Sequence, residues 1–236
     1  MTSSSPTRVP VTHRGAAPAE LRLFLREGLR DPAAVGAVAP SSPALVRALV
    51  AAAVASTRPV RVLEVGAGTG RATRALADGL APGSRLDVVE SNPRFAEHLR
   101  RLASGRSSDV DVRVVCGRVE DLRPAEPYDH IVSALPFTNF DPADVERILG
   151  LYTRWLRPTG TLSYFAYRGT ATLRRATASP AEARRHRAVQ RVLEAHHRTR
   201  RTSSTTVWRN LPPAVVRRVE EPAVMPSPVA WPGSTS

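Results

Sequence analysis

Two carboxylates and three glycines are the residues whose types and spacing most suggest chemistry. They lie in VLEVGAGTGRATRAL, residues 62–76, and RLDVVESNP, residues 85–93. Val62, Leu63 and Val65 form a short apolar run around Glu64, as a buried parallel strand requires. Gly66, Gly68 and Gly70 follow at alternate positions, which lets the backbone turn sharply and lets a ligand come close to it. Residues 71–80 then read as a helix with Ala72, Leu76 and Leu80 on one stripe. In the dinucleotide fingerprint the third glycine comes one residue later. No Gly-Lys-Ser/Thr follows to make a phosphate loop. The second segment is another apolar strand ending in an acid, Glu90, 26 residues after Glu64. A carboxylate there can accept hydrogen bonds from both hydroxyls of a ribose. Alone, Glu90 reads as a solvated strand-end charge; with the three glycines upstream, the ribose role is the better reading.

The spacing Glu64-x-Gly66-x-Gly68-x-Gly70 resembles motif I of the class I S-adenosylmethionine (SAM) methyltransferases. Three further strand-and-turn units support that resemblance: VDVRVVCGRVEDL (110–122), YDHIVSALPFTNF (128–140) and WLRPTGTLSYFAY (155–167). In that superfamily the turn after the third strand lies along adenine and usually reads Gly-Asp. Here it is Gly117-Arg118, leaving Glu120 or Asp121 as substitutes, with solvated loop acids an equal reading. STTVWRNLPPAVVRRVE (204–220) reads as strand, Pro-Pro turn, strand. The expected fold is therefore α/β, the Rossmann-like class I methyltransferase fold. Its seven-stranded sheet is mostly parallel and ends in an antiparallel hairpin.

Methyl transfer from a sulfonium needs alignment and exclusion of water more than strong acid or base groups. The stretch from Ser133 through Leu135, Pro136 and Phe137 to Asn139 follows the fourth strand, at the carboxyl edge where open sheets bind ligands. Pro136 fixes the turn, its carbonyls can orient an amine, and an aromatic face suits a methylated ammonium. Aromatics make up 5% of the chain, yet Phe137, Phe140, Tyr152, Trp155, Tyr164, Phe165 and Tyr167 crowd into one third of it. Phe165 and Trp155 read as core, Phe137 and Tyr167 as site residues. An amine must lose its proton to solvent, His130 or Tyr167.

At 236 residues the chain suits one α/β domain, here spanning residues 19–220. Residues 1–18 and the Pro-rich 221–236 read as disordered. No window is apolar enough to cross a bilayer, and the N-terminus carries no signal-peptide pattern. Cys116 is the sole cysteine, reads as a small buried core residue, and fits a cytoplasmic protein. His186, His196 and His197 have no matching acids or cysteines, so no metal is expected. The net charge is +13, with 34 basic residues, all arginine. It favours anionic partners, an RNA or an anionic membrane surface. Much of it lies in residues 174–201, a loop and then a helix from about Pro180 to His197 with a narrow stripe of Ala183, Ala188, Val192 and Leu193. Leu21, Phe24, Leu25 and Leu29 recur at helical spacing opposite Arg22, Arg26 and Arg30, so residues 20–30 read as a basic amphipathic helix. It either docks on the core or lies on a membrane.

Four blocks occur in order: FLREGLRDPAAVGAVAPSS, VLEVGAGTG, SALPFTNF and TVWRNLPPAVVRRV. Together they resemble the bacterial phospholipid N-methyltransferases and their relatives acting on ornithine lipids. The resemblance covers residues 21–219. It implies SAM as cofactor without a metal and a peripheral membrane role for the N-terminal helix. It implies cofactor contacts for Glu64, Gly66, Gly68, Gly70 and Glu90; Ser41, Ser42, Ser91, Glu120 and Ser133 are further candidate cofactor contacts. It also implies an acceptor site at Leu135, Pro136, Phe137 and Asn139, with Tyr167 alongside. The acceptor is then an amine-bearing lipid or small molecule. The alternatives are an rRNA adenine N6-dimethyltransferase, which has a comparable Asn-Leu-Pro-Phe/Tyr stretch, a tailoring methyltransferase of a soluble natural product, and a catalytically silent SAM-binding scaffold. Position 133 is Ser rather than Asn, and no separate helical RNA domain follows, which weighs against the first.

Overall fold

In a computed structural model, residues 41–105, 109–167, 180–210 and 212–222 are described. The readings for residues 1–18, for the helix at 20–30 and for 223–236 lie outside them.

Short β-branched runs make the strands, and each glycine, proline or asparagine break starts a helix. Ser42 caps α1 (Pro43–Val54), its hydroxyl accepting from Leu45 N with Pro43 at the first turn. Then come β1 (Arg61–Val65), α2 (Arg71–Gly79) and β2 (Arg85–Glu90). Asn92 caps α3 (Pro93–Ser104) and is followed by β3 (Asp111–Cys116), β4 (Tyr128–Ser133) and α4 (Pro142–Trp155). The chain ends in β5 (Leu156–Tyr167), α5 (Pro180–His197), β6 (Arg201–Val207) and β7 (Ala214–Glu220). The strand order is β3-β2-β1-β4-β5-β7-β6. The first five are parallel, and β7 runs antiparallel between β5 and β6. This is the expected mostly parallel seven-stranded sheet with its antiparallel hairpin.

Both faces of the central strands are covered, so adjacent strand residues enter different cores. Val62, Leu86 and Phe165 join Leu45, Leu49 and Leu76 of α1 and α2. Leu63, Ile131, Leu162 and Tyr164 join Val145, Ile148 and Tyr152 of α4 and Val189 and Leu193 of α5. In α5 the expected Leu193 is buried and Val192 packs partly against the same core, while Val189 is buried in place of Ala183 and Ala188.

Two expectations need correction. Cys116 is exposed, because β3 is an edge strand and the residue stands at its open carboxyl end. Glu221, read as the start of the tail, is buried. Its amide donates to the Gly160 carbonyl at 2.9 Å and its carboxylate takes Arg200 Nε at 2.8 Å.

Candidate functional site

The turn after β1 is left-handed at all three glycines, with φ of 75° at Gly66, 54° at Gly68 and 78° at Gly70. Only glycine adopts this region freely. The three differ in what surrounds them. A Cβ at Gly66 would sit 3.0 Å from Leu135 Cδ2, and one at Gly70 would sit 2.9 Å from Leu99 Cδ2. A Cβ at Gly68 would meet no atom within 4 Å. Packing therefore explains Gly66 and Gly70, while Gly68 borders open space that a ligand can fill.

Glu90 fastens this turn to the end of β2. Its Oε2 accepts from Gly68 N and its Oε1 from Asn92 N, both at 2.8 Å. An ionised carboxylate has about four acceptor positions, so both oxygens keep capacity for ribose hydroxyls. Ser91 is exposed beside it. On the β3 side, Gly117 N donates to the Glu90 carbonyl at 3.0 Å, which brings the third turn alongside.

Glu64 is fully buried, and neither carboxyl oxygen has a hydrogen-bond partner. Burial pushes its pKa up to about 8, and the neighbouring charge of Glu90 adds to the rise. Thr73 opposes the shift, though its hydroxyl is itself unpartnered by strict geometry. A buried acid without partners is costly. One beside a glycine turn with a vacant side suits a cationic ligand group. The open side of Gly68 and the unpartnered Glu64 together fit SAM, whose amino and sulfonium groups are cationic.

In the third turn Glu120 is held by Arg118, whose Nη2 donates at 2.6 Å, and Arg147 approaches to 3.8 Å. Partial burial pushes the Glu120 carboxyl up, but the Arg118 hydrogen bond and charge prevail and hold it below the usual range. Asp121 is exposed.

Ser41 and Ser42 arrive at the same edge by a different route. Arg71, the residue after the glycine turn, donates to the Ser41 carbonyl at 2.7 Å. Ser42 N donates to Asn210 Oδ1 at 2.9 Å, and Asn210 Nδ2 donates to the Pro212 carbonyl at 2.7 Å. Two of the four family blocks, APSS and NLPPA, therefore meet 168 residues apart. The Ser42 hydroxyl is engaged in capping α1. Arg71 and Asn210 were not singled out from the sequence; the asparagine that opens the NLPPA block was the available signal.

The β4 exit divides its residues. Leu135 lies against Gly66 and so reaches the cofactor turn. Pro136, Thr138 and Asn139 are half-buried along the turn, with Asn139 N donating to the Pro136 carbonyl at 2.8 Å. Phe137 is only 3% exposed and packs edge-on against Tyr164, ring centroids 5.5 Å apart. Ser133 is buried with its hydroxyl 3.1 Å from that of Tyr152. Tyr167 packs against Phe165, in the core on the other side of the sheet. Phe137, expected as a site residue, is therefore a core ring, and Tyr167, expected beside the acceptor, belongs to the other face of the sheet. His130 sits three residues below the end of β4, its Nδ1 2.5 Å from Thr161 Oγ1, with its pKa lowered by burial. A cavity of about 590 Å³ opens elsewhere, between α4 and α5, and includes none of these residues.

Residues 62–160 match the methyltransferase domain family. The ornithine lipid N-methyltransferase of Singulisphaera acidiphila is 36% identical over 148 residues, covering 60% of this chain and 74% of that one. The malonyl-[acyl-carrier protein] O-methyltransferase of Bacillus cereus is 37% identical over 81 residues, 34% of this chain and 28% of that one. Among solved structures, the N-methyltransferase NodS of Bradyrhizobium japonicum with S-adenosylhomocysteine gives a TM-score of 0.57 at 19% identity, covering 77% of this chain and 89% of that one. The O-methyltransferase TomG of Streptomyces achromogenes with SAM gives 0.60 at 18% identity, covering 87% and 91%. The glycine turn, the strand order and these likenesses agree: the chain belongs to the class I SAM-dependent methyltransferases and shares a family with the ornithine lipid N-methyltransferase.

Proposed function

We propose that this enzyme methylates the amine of a lipid-like acceptor, a phosphatidylethanolamine-type or ornithine-lipid headgroup, at an anionic membrane surface on the cytoplasmic side. The observation that carries this reading is the 36% identity over 148 residues to a lipid N-methyltransferase. Gly66, Gly68 and Gly70 admit the cofactor, Glu90 and Ser91 meet its ribose, and Glu64 faces its cationic end. Ser41, Ser42, Glu120 and Ser133 act around it through the backbone and ion pairs they hold in place.

SAM supplies a methyl group on a sulfonium that already leaves readily. The protein's task is to bring the amine into line behind that methyl and keep water out. Leu135, Pro136 and Asn139 border the approach, with Leu135 touching the glycine turn. The acceptor proton goes to solvent: His130 is turned to Thr161 below the edge, and burial pushes the Tyr167 phenol up, away from service as a base. Among the described residues no helix is long and apolar enough to cross a membrane.

Lipid mass spectrometry after expression in a host lacking methylated phospholipids tests this. One to three added methyl groups on an amine headgroup is the expected result. Unchanged lipids with methylated soluble amines, or with methylated rRNA adenine, would transfer the assignment to the tailoring or the RNA reading.

A further inference from the structure

The cavity between α4 and α5 stands apart from the cofactor edge and has an apolar floor of its own. Leu149 and Gly150 of α4 and Ala188, Val192 and Ala195 of α5 form that floor. The volume is about 590 Å³, inside the range of roughly 300–1,000 Å³ that small-molecule sites occupy. Along α4 the lining runs from Pro142 to Thr153, about 17 Å of helix.

Gly150 keeps this groove wide. It lies inside α4, where glycine weakens a helix relative to alanine. No close neighbour requires it there: a Cβ would meet no atom within 4 Å. A longer side chain at this position would enter the groove that Gly150 lines.

Charge is divided between the two walls. Arg200 lines one end, but its guanidinium is committed to Glu221, Thr153 and the His196 carbonyl. His196 is held neutral by burial first and then by Arg200 and His197. Arg191 is exposed on the α5 wall, with no ion-pair or hydrogen-bond partner among the described residues. Arg184 and Arg187 precede it by seven and four residues, so the three share a helix face. Both are exposed and equally without partners among the described residues. Glu146, on the α4 wall, is the one acid among the lining residues. An anion therefore finds its place on the α5 side, beside Arg191.

We propose that the groove between α4 and α5 is a binding site for one anionic amphiphile, outside the methyl-transfer site. Its apolar chain lies over Leu149, Gly150 and Val192, and its carboxylate or phosphate head meets Arg191. A guanidinium fork suits either head group through paired charge-assisted hydrogen bonds. The apolar floor gives a bare anion nothing to bury, and the arginine row gives a neutral chain nothing to pair with. A flat bilayer does not reach a floor set between two helices, and a protein partner would need about 800 Å² of matching surface on its side. A single molecule of that chemistry fits both the volume and the charge.

The test is calorimetry of the full-length protein with dodecyl phosphate below its micellar concentration. Saturable binding of one molecule per chain is expected. Arg191→Gln and Gly150→Leu should each weaken it about tenfold or more, the first by removing the charged fork and the second by filling the floor. SAM affinity should match the parent in both variants, and neither should melt earlier. Dodecanol and inorganic phosphate should each bind at least about tenfold more weakly than dodecyl phosphate, since each keeps half of the recognition. Laurate binding as tightly would sustain the site with a free fatty acid as its source; a clear preference for the phosphate would sustain it with a phosphorylated lipid. The proposal is overturned by an absence of saturable binding, or by undiminished binding in a Gly150→Leu protein that melts like the parent. Inorganic phosphate binding as tightly as dodecyl phosphate would also overturn it, leaving a bare anion patch. So would displacement of SAM by dodecyl phosphate, which would put the ligand on the cofactor edge, or Arg191-dependent retention on RNA without binding of dodecyl phosphate.

Discussion

Gly68 combines a left-handed φ of 54° with an open side, and the two predict different measurements. Gly68→Val strains the backbone by about 1–2 kcal/mol, but its Cβ has no atom within 4 Å, so folding should survive. Its branches fill the space assigned to the cofactor, so calorimetry should show SAM affinity lowered more than tenfold. Gly70→Ala should do the reverse, losing stability through contact with Leu99 and Leu102. Parent-like SAM affinity in Gly68→Val would remove the turn from the site. Glu64 makes a pH prediction. Its folded pKa of about 8 is raised from 4.5 by burial. Between those values the folded protein keeps a proton that the unfolded chain has released. Its contribution is therefore fully present below pH 4.5 and is lost as pH rises toward 8, by at most about 1.4 kcal/mol per pH unit. Glu64→Gln cannot ionise and should flatten that slope. Urea unfolding of both proteins across the window is the check.

At the scale of elements, the short helical turn Phe137–Asn139 joins β4 to α4 and rests on the core through one ring. Phe137 touches Tyr164 of β5 and lies 6.5 Å from the ring of Phe140. Phe137→Ala should therefore cost about 3–5 kcal/mol of stability, in the range for removing a buried phenyl. Phe137→Leu should keep most of the stability and near-parent turnover. Single-turnover kinetics with unmethylated and methylated acceptors decides the ring's place. A loss in Phe137→Leu confined to the methylated forms would show the ring reaching the amine after all.

Across the whole molecule, one ion pair joins elements that the sequence keeps far apart. Arg200 donates through Nε to Glu221 at 2.8 Å, through Nη2 to Thr153 of α4 at 3.2 Å, and through Nη1 to the His196 carbonyl of α5 at 2.9 Å. The arginine is 15% exposed and the glutamate 5%. His196, pushed down to about 3 by burial first and then by Arg200 and His197, stays neutral beside them. Glu221→Ala strands the guanidinium and should destabilise by about 3 kcal/mol. Replacing both partners, Arg200→Met with Glu221→Leu, should recover most of that loss. Strictly additive losses in urea unfolding would show that the two residues do not act as a pair.

The local pattern of residues determined the elements and their order. Apolar runs, the glycine spacing after Glu64, and Pro and Asn at helix starts act within a few residues. The glycine turn and the helix Pro180–His197 were therefore legible without tertiary contacts, and the family blocks added the hairpin. Only the tertiary structure decided what those residues face. Tyr164 and Tyr167 are three apart on one strand, so alternation sends them to opposite cores and separates Phe137 from Tyr167. Cys116 is exposed because β3 has no outer neighbour among the described residues, which no local signal states. Glu64 carries its raised pKa because β1 lies between β2 and β4 under α2, and Asn210 finds Ser42 only when the sheet brings its last turn to the start of α1. A short-range pattern encodes which strand or helix forms; burial and partnership depend on contacts between residues up to 168 positions apart, which exist only after the sheet has assembled.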